Sequence, residues 1–142
     1  MEEKVKVAYI CVHNSCRSQM AQGWGRHLKG DKFNFYSAGT KKHGLNPRAV
    51  QVMKEASVDI SGHQSQTTDD LGDVKMDYVF TVCLDAHENC PFFPGGKIIH
   101  VGFDDPPRLT KEMKDEEEVL NVYRRVRDEI KLMVEHIEKH ME

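Results

Sequence analysis

No run of apolar residues in this 142-residue chain approaches the roughly 20 that a membrane-spanning helix requires, so no role within a bilayer is expected. A basic block is lacking too. Lys and Arg number 20 against 23 Asp and Glu, and the net charge of −3 removes the usual electrostatic basis for nucleic-acid binding. Nor does an export leader open the chain: Met1-Glu2-Glu3-Lys4 is charged and runs straight into a strand pattern, whereas a secretory signal needs a hydrophobic stretch. A cytoplasmic location is expected. Repeats, low-complexity tracts and long linkers are missing, so residues 1–142 read as one domain, expected to act as a monomer. Cysteine is scarce, with four in all. In a reducing compartment such thiols serve catalysis, redox chemistry or metal binding more readily than structural disulfides. What remains, 39% hydrophobic and 30% charged residues, is the make-up of a domain large enough to bury a real core.

Strand and helix patterns alternate along that chain. Strands are predicted over Val5–Cys11, Lys32–Ala38, Asp77–Cys83 and Lys97–Val101, each a short run rich in β-branched or aromatic residues. Helices are predicted over Ser18–Lys29, where Met20, Trp24 and Leu28 recur at four-residue spacing, over Arg48–Ala56 behind Pro47, and over the long amphipathic tail Glu116–His140,. His136 and His140 share a face of that tail and read as solvated. Leu84–Gly96 and Phe103–Thr110 read as loops, the first as an alternative short helix, because Pro and Gly punctuate them,. This alternation implies an α/β fold: a four-stranded parallel sheet flanked by helices on both faces. Ligands of such sheets sit beyond the carboxyl ends of the strands. Cys11, Cys83 and the segment around Asp105 all fall there.

Three constellations carry chemistry. In the first, Cys11-Val12-His13-Asn14-Ser15-Cys16-Arg17-Ser18 joins an apolar strand to a helix start. A loop of this length turns its backbone N–H groups, the helix N-terminus and a planar guanidinium onto one tetrahedral anion. The same field favours a thiolate at Cys11, a nucleophile beneath the anion. Asn14 tolerates a left-handed backbone and can tie the loop together, while Ser18 is placed to bond the Cys11 sulfur and cap the helix. The bland alternative is a buried strand-end cysteine beside a surface arginine. The second constellation is Cys83 with Cys90, seven residues on. The spacing fits a zinc site poorly even with His87 nearby, which leaves two unrelated cysteines or a redox pair. The third, Asp104-Asp105-Pro106, is an acidic turn or the source of a proton for a departing oxygen.

With these elements the chain resembles the low-molecular-weight protein tyrosine phosphatase superfamily, and within it is similar to the thioredoxin-coupled arsenate reductases. The likeness runs from about Val5 to His136. It is carried by Asn14-Ser15-Cys16-Arg17-Ser18-Gln19-Met20-Ala21, Tyr36-Ser37-Ala38-Gly39, His43-Gly44-Leu45-Asn46-Pro47, Asp59-Ile60-Ser61, Thr81-Val82-Cys83, Asn89-Cys90-Pro91, Gly102-Phe103-Asp104-Asp105-Pro106 and Arg125-Val126-Arg127-Asp128-Glu129-Ile130.

The resemblance implies arsenate as substrate and thioredoxin as partner, with no cofactor. The Cys11 thiolate would attack the anion, residues 12 to 18 would hold it, with Arg17 gripping it, and Asp105 would supply a proton. A Cys11–Cys83 disulfide would then pass to Cys83–Cys90. Cys16 is accessory. A phosphatase using only Cys11, Arg17 and Asp105 is the alternative. Two departures from the family pattern bear on the site. Val12-His13 stands where relatives usually carry a pair such as Thr-Gly, so an altered loop geometry or anion affinity is expected. Carboxylates that bind potassium in some relatives match the neutral Gln22 and Gln66, beside Asn14 and Ser37, so no metal site is expected.

Overall fold

A computed structural model describes residues 4–12, 14–39, 44–72, 74–83 and 96–141. Its elements in chain order are β1 (Val5–Ile10), α1 (Arg17–Lys29), β2 (Phe33–Ala38), α2 (Pro47–Glu55), a 3-10 turn (Asp69–Leu71), β3 (Tyr78–Cys83), β4 (Lys97–Phe103), α3 (Pro106–Leu109), α4 (Glu116–Glu135) and α5 (Ile137–Met141). The strands form one sheet in the order β2-β1-β3-β4, and every pairing is parallel. β1 lies inside the sheet, and its Val7, Ala8, Tyr9 and Ile10 are wholly buried. A strand covered on both faces has to read as a continuous apolar run, and this one does.

Alternate residues of the strands feed two cores, as the two-residue period of a pleated sheet dictates. Val7, Tyr9, Phe35, Phe80 and Val82 pack with Met20 and Trp24 of α1, Val52 and Met53 of α2, and Tyr123, Val126, Ile130 and Val134 of α4. On the opposite face Ala8, Ile10, Ala38 and Val79 meet Leu71 of the 3-10 turn and Met76. α1 lies close on β2 because Gly25 has no side chain: a Cβ there would stand 2.6 Å from the Phe35 ring. α2 starts where Asn46 caps it, its side-chain oxygen accepting from the N–H groups of Arg48 (2.9 Å) and Ala49 (3.2 Å),.

The fold corrects five sequence expectations. β1 stops one residue short of Cys11, and β4 runs on to Phe103. The segment expected as a loop from Phe103 contains α3, with Asp105 at the N-cap position, no side-chain cap bond, and Pro106 at its start; proline suits a first turn as well as it suits a loop. The tail is not one helix. It breaks at His136, the C-cap of α4, yet the apolar stripe continues into buried Ile137, so its periodicity alone cannot reveal the break. α1 begins at Arg17, with Cys16 at the N-cap and no side-chain cap bond, so Ser18 does not cap it. The expected Leu84–Gly96 loop lies outside the described residues up to position 95.

The α4 stripe gives a stability test. Ile130 is fully buried while Leu132, two residues on, is 58% exposed. Ile130→Ala should cost about 2–5 kcal/mol through lost burial and the cavity left behind, and Leu132→Ala no more than about 0.5 kcal/mol. Urea denaturation of the two variants checks the orientation of the helix; comparable losses would contradict it.

Candidate active site

The loop after β1 is shaped from behind by one side chain. Asn14 has φ 49°, the left-handed region that Asn enters at least cost among residues with a side chain. Its amide is fully buried, and both ends of it are bonded. The oxygen accepts from Gln66 N (2.6 Å) and from Gln19 Nε2 (3.0 Å), and the nitrogen donates to Ser18 Oγ (2.9 Å). Gln19 donates as well to the Asn14 carbonyl (3.2 Å) and to that of Gln64 (3.1 Å), and its own oxygen meets His63 Nδ1 at 3.0 Å. Burial, with Arg26 nearby, holds the His63 pKa below its ordinary value. Gly39 forms the floor. A Cβ there would stand 2.6 Å from the carbonyl oxygens of both Cys11 and Val12 and 2.9 Å from Asn14 N. The rim is tied by Asn46, whose N–H donates to Ser15 O (2.9 Å) and whose amide donates to Tyr123 OH (3.1 Å).

In front of this support lies a cleft of about 280 Å³ lined by Cys11, Val12, Ser15, Cys16, Arg17, Asp105, Pro107 and Arg108. It stands beyond the carboxyl end of β1 and at the start of α1, where backbone N–H groups favour an anion. The Arg17 side chain is only 5% exposed. It donates through Nη1 to Phe103 O (2.9 Å) and lies 3.7 Å, through Nη2, from Asp105 Oδ2. β4 arrives there through an irregularity: between the pairs Thr81–His100 and Cys83–Phe103 it takes one more residue than β3. Bulges of this kind re-aim a strand end next to functional sites. Asp104 turns the other way, to Arg125 of α4 at 2.8 Å. Burial pushes the Cys16 thiol up, Cys11 and Asp105 add to this, and Arg17 opposes it. Cys16 is therefore a protonated thiol near neutral pH and a poor nucleophile.

The structure thus brings Cys11, Val12, Ser15, Cys16, Arg17 and Asp105 to one cleft. The side chains of Asn14 and Ser18 are fully buried and serve the loop from behind. His13 and Cys90 lie outside the described residues. Cys83 is described as backbone: it ends β3, the strand beside β1. At the positions matched to a potassium site, Gln22 accepts from Ser37 Oγ (2.6 Å) and donates to Phe35 O (3.3 Å), so these two polar side chains satisfy each other. Sequence reasoning did not single out Gly39, Gln19, Arg108 or Arg125. Gln19, Gly39 and Arg125 lie within motifs that carry the family resemblance, but only the fold shows what they touch.

The family model for low molecular weight phosphotyrosine protein phosphatase matches residues 6–142, and the chain belongs to that family. It is similar to arsenate reductase 1 of Staphylococcus saprophyticus, with 46% identity over 134 residues, 94% of this chain and 95% of that one. Among solved structures it is similar to an arsenate reductase in the phosphate-binding state, with TM-score 0.76, 28% identity, and 94% and 95% of the two chains covered. It also resembles a thioredoxin-dependent arsenate reductase of Corynebacterium glutamicum, with TM-score 0.68, 25% identity, and 97% and 62% covered.

Gly39→Ala tests the floor of the loop. The methyl would press on the backbone of Cys11 and Val12, which cannot rotate away as a side chain would. The variant should lose about 1–3 kcal/mol of stability and bind inorganic phosphate at least about ten-fold more weakly, a further 1.4 kcal/mol or so. Thermal melts with and without phosphate check both; unchanged phosphate stabilisation would mean that the loop tolerates the methyl.

Proposed function

We propose that the chain reduces arsenate to arsenite through a relay of three thiols, with thioredoxin as the final reductant. The observation that carries this reading is the cleft itself, where Cys11 shares a wall with buried Arg17, and Asp105 stands beside that guanidinium. The close identity to arsenate reductases supports the choice of oxyanion.

The Cys11 thiolate attacks arsenic while the loop N–H groups and Arg17 hold the oxygens, a geometry a guanidinium fork suits. An oxygen departs as water with the proton of Asp105. Because Asp105 and Arg17 are within reach of one another, the acid stands beside the bound anion. The Cys83 thiolate then attacks Cys11 Sγ. The sulfur–arsenic bond breaks, its electron pair leaves with arsenic as arsenite, and a Cys11–Cys83 disulfide forms. Cys90 attacks Cys83 in turn and releases the Cys11 thiolate. Thioredoxin reduces the Cys83–Cys90 disulfide by the same exchange. Both electrons come from thiols, so the cycle needs no cofactor or metal. We place the activity in the cytoplasm, in a monomer of one domain that binds neither nucleic acid nor membrane. Among the described residues no helix is long and apolar enough to cross a bilayer.

The two aspartates separate sharply in this mechanism. Asp105→Asn should slow the first chemical step by roughly 10²–10⁴. Asp104→Asn should change it far less, since Asp104 faces Arg125. Rapid-quench measurement of arsenite release in a single turnover checks this; equal losses would return the acid to an open question.

The relay has its own signature. Cys90→Ser should complete one round and trap a Cys11–Cys83 disulfide, while wild type given one equivalent of arsenate should hold Cys83–Cys90. Cys83→Ser should stop arsenate turnover yet leave slow hydrolysis of p-nitrophenyl phosphate, for which Cys11, Arg17 and Asp105 suffice. Peptide mapping of the disulfides reads the result. Both variants fully active with thioredoxin would remove the relay through Cys83 and Cys90.

A further inference from the structure

Arg108 lines the same cleft as Cys11 and Arg17, yet the thiol relay gives it no task. It sits on α3, a single turn held firmly in place. Pro106 and Pro107 open that turn, Asp105 O accepts from Leu109 N (3.0 Å), and buried Thr110 closes it through Oγ1 to Pro106 O (2.7 Å). An arginine on so short and fixed a platform is presented to the cleft mouth with little backbone freedom to lose.

Its charge is also available. Arg17 lies against Asp105 and Arg125 against Asp104, so each aspartate of the acid segment faces another arginine. Arg108 makes no ion pair among the described residues, and its side chain is exposed. The consequence follows from charge balance. A chain of net charge −3 repels an approaching oxyanion, and Asp105 lies 3.7 Å from the Arg17 guanidinium. Local cations at a cleft mouth set the potential that an incoming ligand feels.

We propose that Arg108 is a second oxyanion-binding guanidinium: it recruits the tetrahedral dianion at the cleft mouth and holds its outer oxygens while Arg17 and the loop hold the inner ones. This deepens the arsenate reading and rests on it. Arg108 would govern capture of the anion and not the bond-making step, which uses Cys11, Arg17 and Asp105.

The test uses the full reduced chain and inorganic phosphate as probe, by isothermal titration calorimetry at low and high salt. Arg108→Gln should weaken phosphate binding about five-fold at low salt, the scale of one solvent-exposed ion pair. The gap should narrow as salt screens the charge. Arg108→Lys should recover most of the affinity, which separates lost charge from a disturbed α3. Lys139→Gln, the same charge change on α5, should match wild type. In turnover, Arg108→Gln should raise KM for arsenate by a similar factor with kcat within about two-fold, as for binding lost equally from ground and transition states. Phosphate affinity of Arg108→Gln within two-fold of wild type would overturn the proposal, as would an equal loss in Lys139→Gln. So would a change confined to the KM for thioredoxin, which would place Arg108 in partner docking. If phosphate binding behaves as expected but wild type does not reduce arsenate, the substrate assignment fails and the anion assignment stands.

Discussion

The buried amide of Asn14 is the constraint on which the rest of the site depends. A primary amide removed from water must find partners for both its oxygen and its nitrogen or forfeit the cost of their desolvation. Here those partners are Gln66 N, Gln19 and Ser18. The three come from different places: the segment leading to the 3-10 turn for one, and the first turn of α1 for the others. Meeting all of them at once leaves the loop one conformation, the left-handed one at Asn14. That conformation sets where α1 begins, and hence where Arg17 stands.

Arg17 then carries the constraint across the cleft. Its bond to Phe103 O and its nearness to Asp105 link the loop after β1 to the end of β4, so Cys11, Arg17 and Asp105 keep a common frame. The two loop cysteines divide accordingly. Cys16 is buried and its thiol pushed up by that burial. It serves as the residue from which α1 starts, while Cys11 occupies the strand end behind the cleft. The acid segment is steadied from outside by Arg125 on Asp104. An exposed pair of this kind contributes little to stability, but it selects which of two adjacent carboxylates is left for the cleft.

Much of this was legible in the residues. The apolar run through Val7–Ile10 marked a strand covered on both faces, and the strand–helix alternation marked the parallel sheet. The loop of Cys11 to Arg17 was legible because its residue types and spacing are themselves the chemistry. Asn14 as the left-handed residue followed from its side chain. What stayed hidden depends on contacts between residues far apart. Nothing near Gln66 announces that its N–H meets Asn14 across 52 positions, nor near Phe103 that its carbonyl holds Arg17 across 86. Gly39 looked like the end of a strand, and only the backbone of Cys11 and Val12 overhead gives it a further reason. Asp105-Pro106-Pro107 fits turn and helix start alike, so the composition could not choose α3. The break at His136 leaves the apolar period intact, so the pattern could not show it.

The register of the sheet also says when the cleft can be completed. β1 is made first, but its partner on one side, β3, comes some seventy residues later, and the residues that fix Asn14 and Arg17 follow at Gln66 and Phe103. Pairings so distant along the chain close slowly and late. As the chain leaves the ribosome from its N-terminus, Cys11 therefore emerges long before the loop that follows it can be held in shape. The cleft around Cys11 is thus finished only with the sheet, when the carbonyl of Phe103 at the end of β4 meets Arg17.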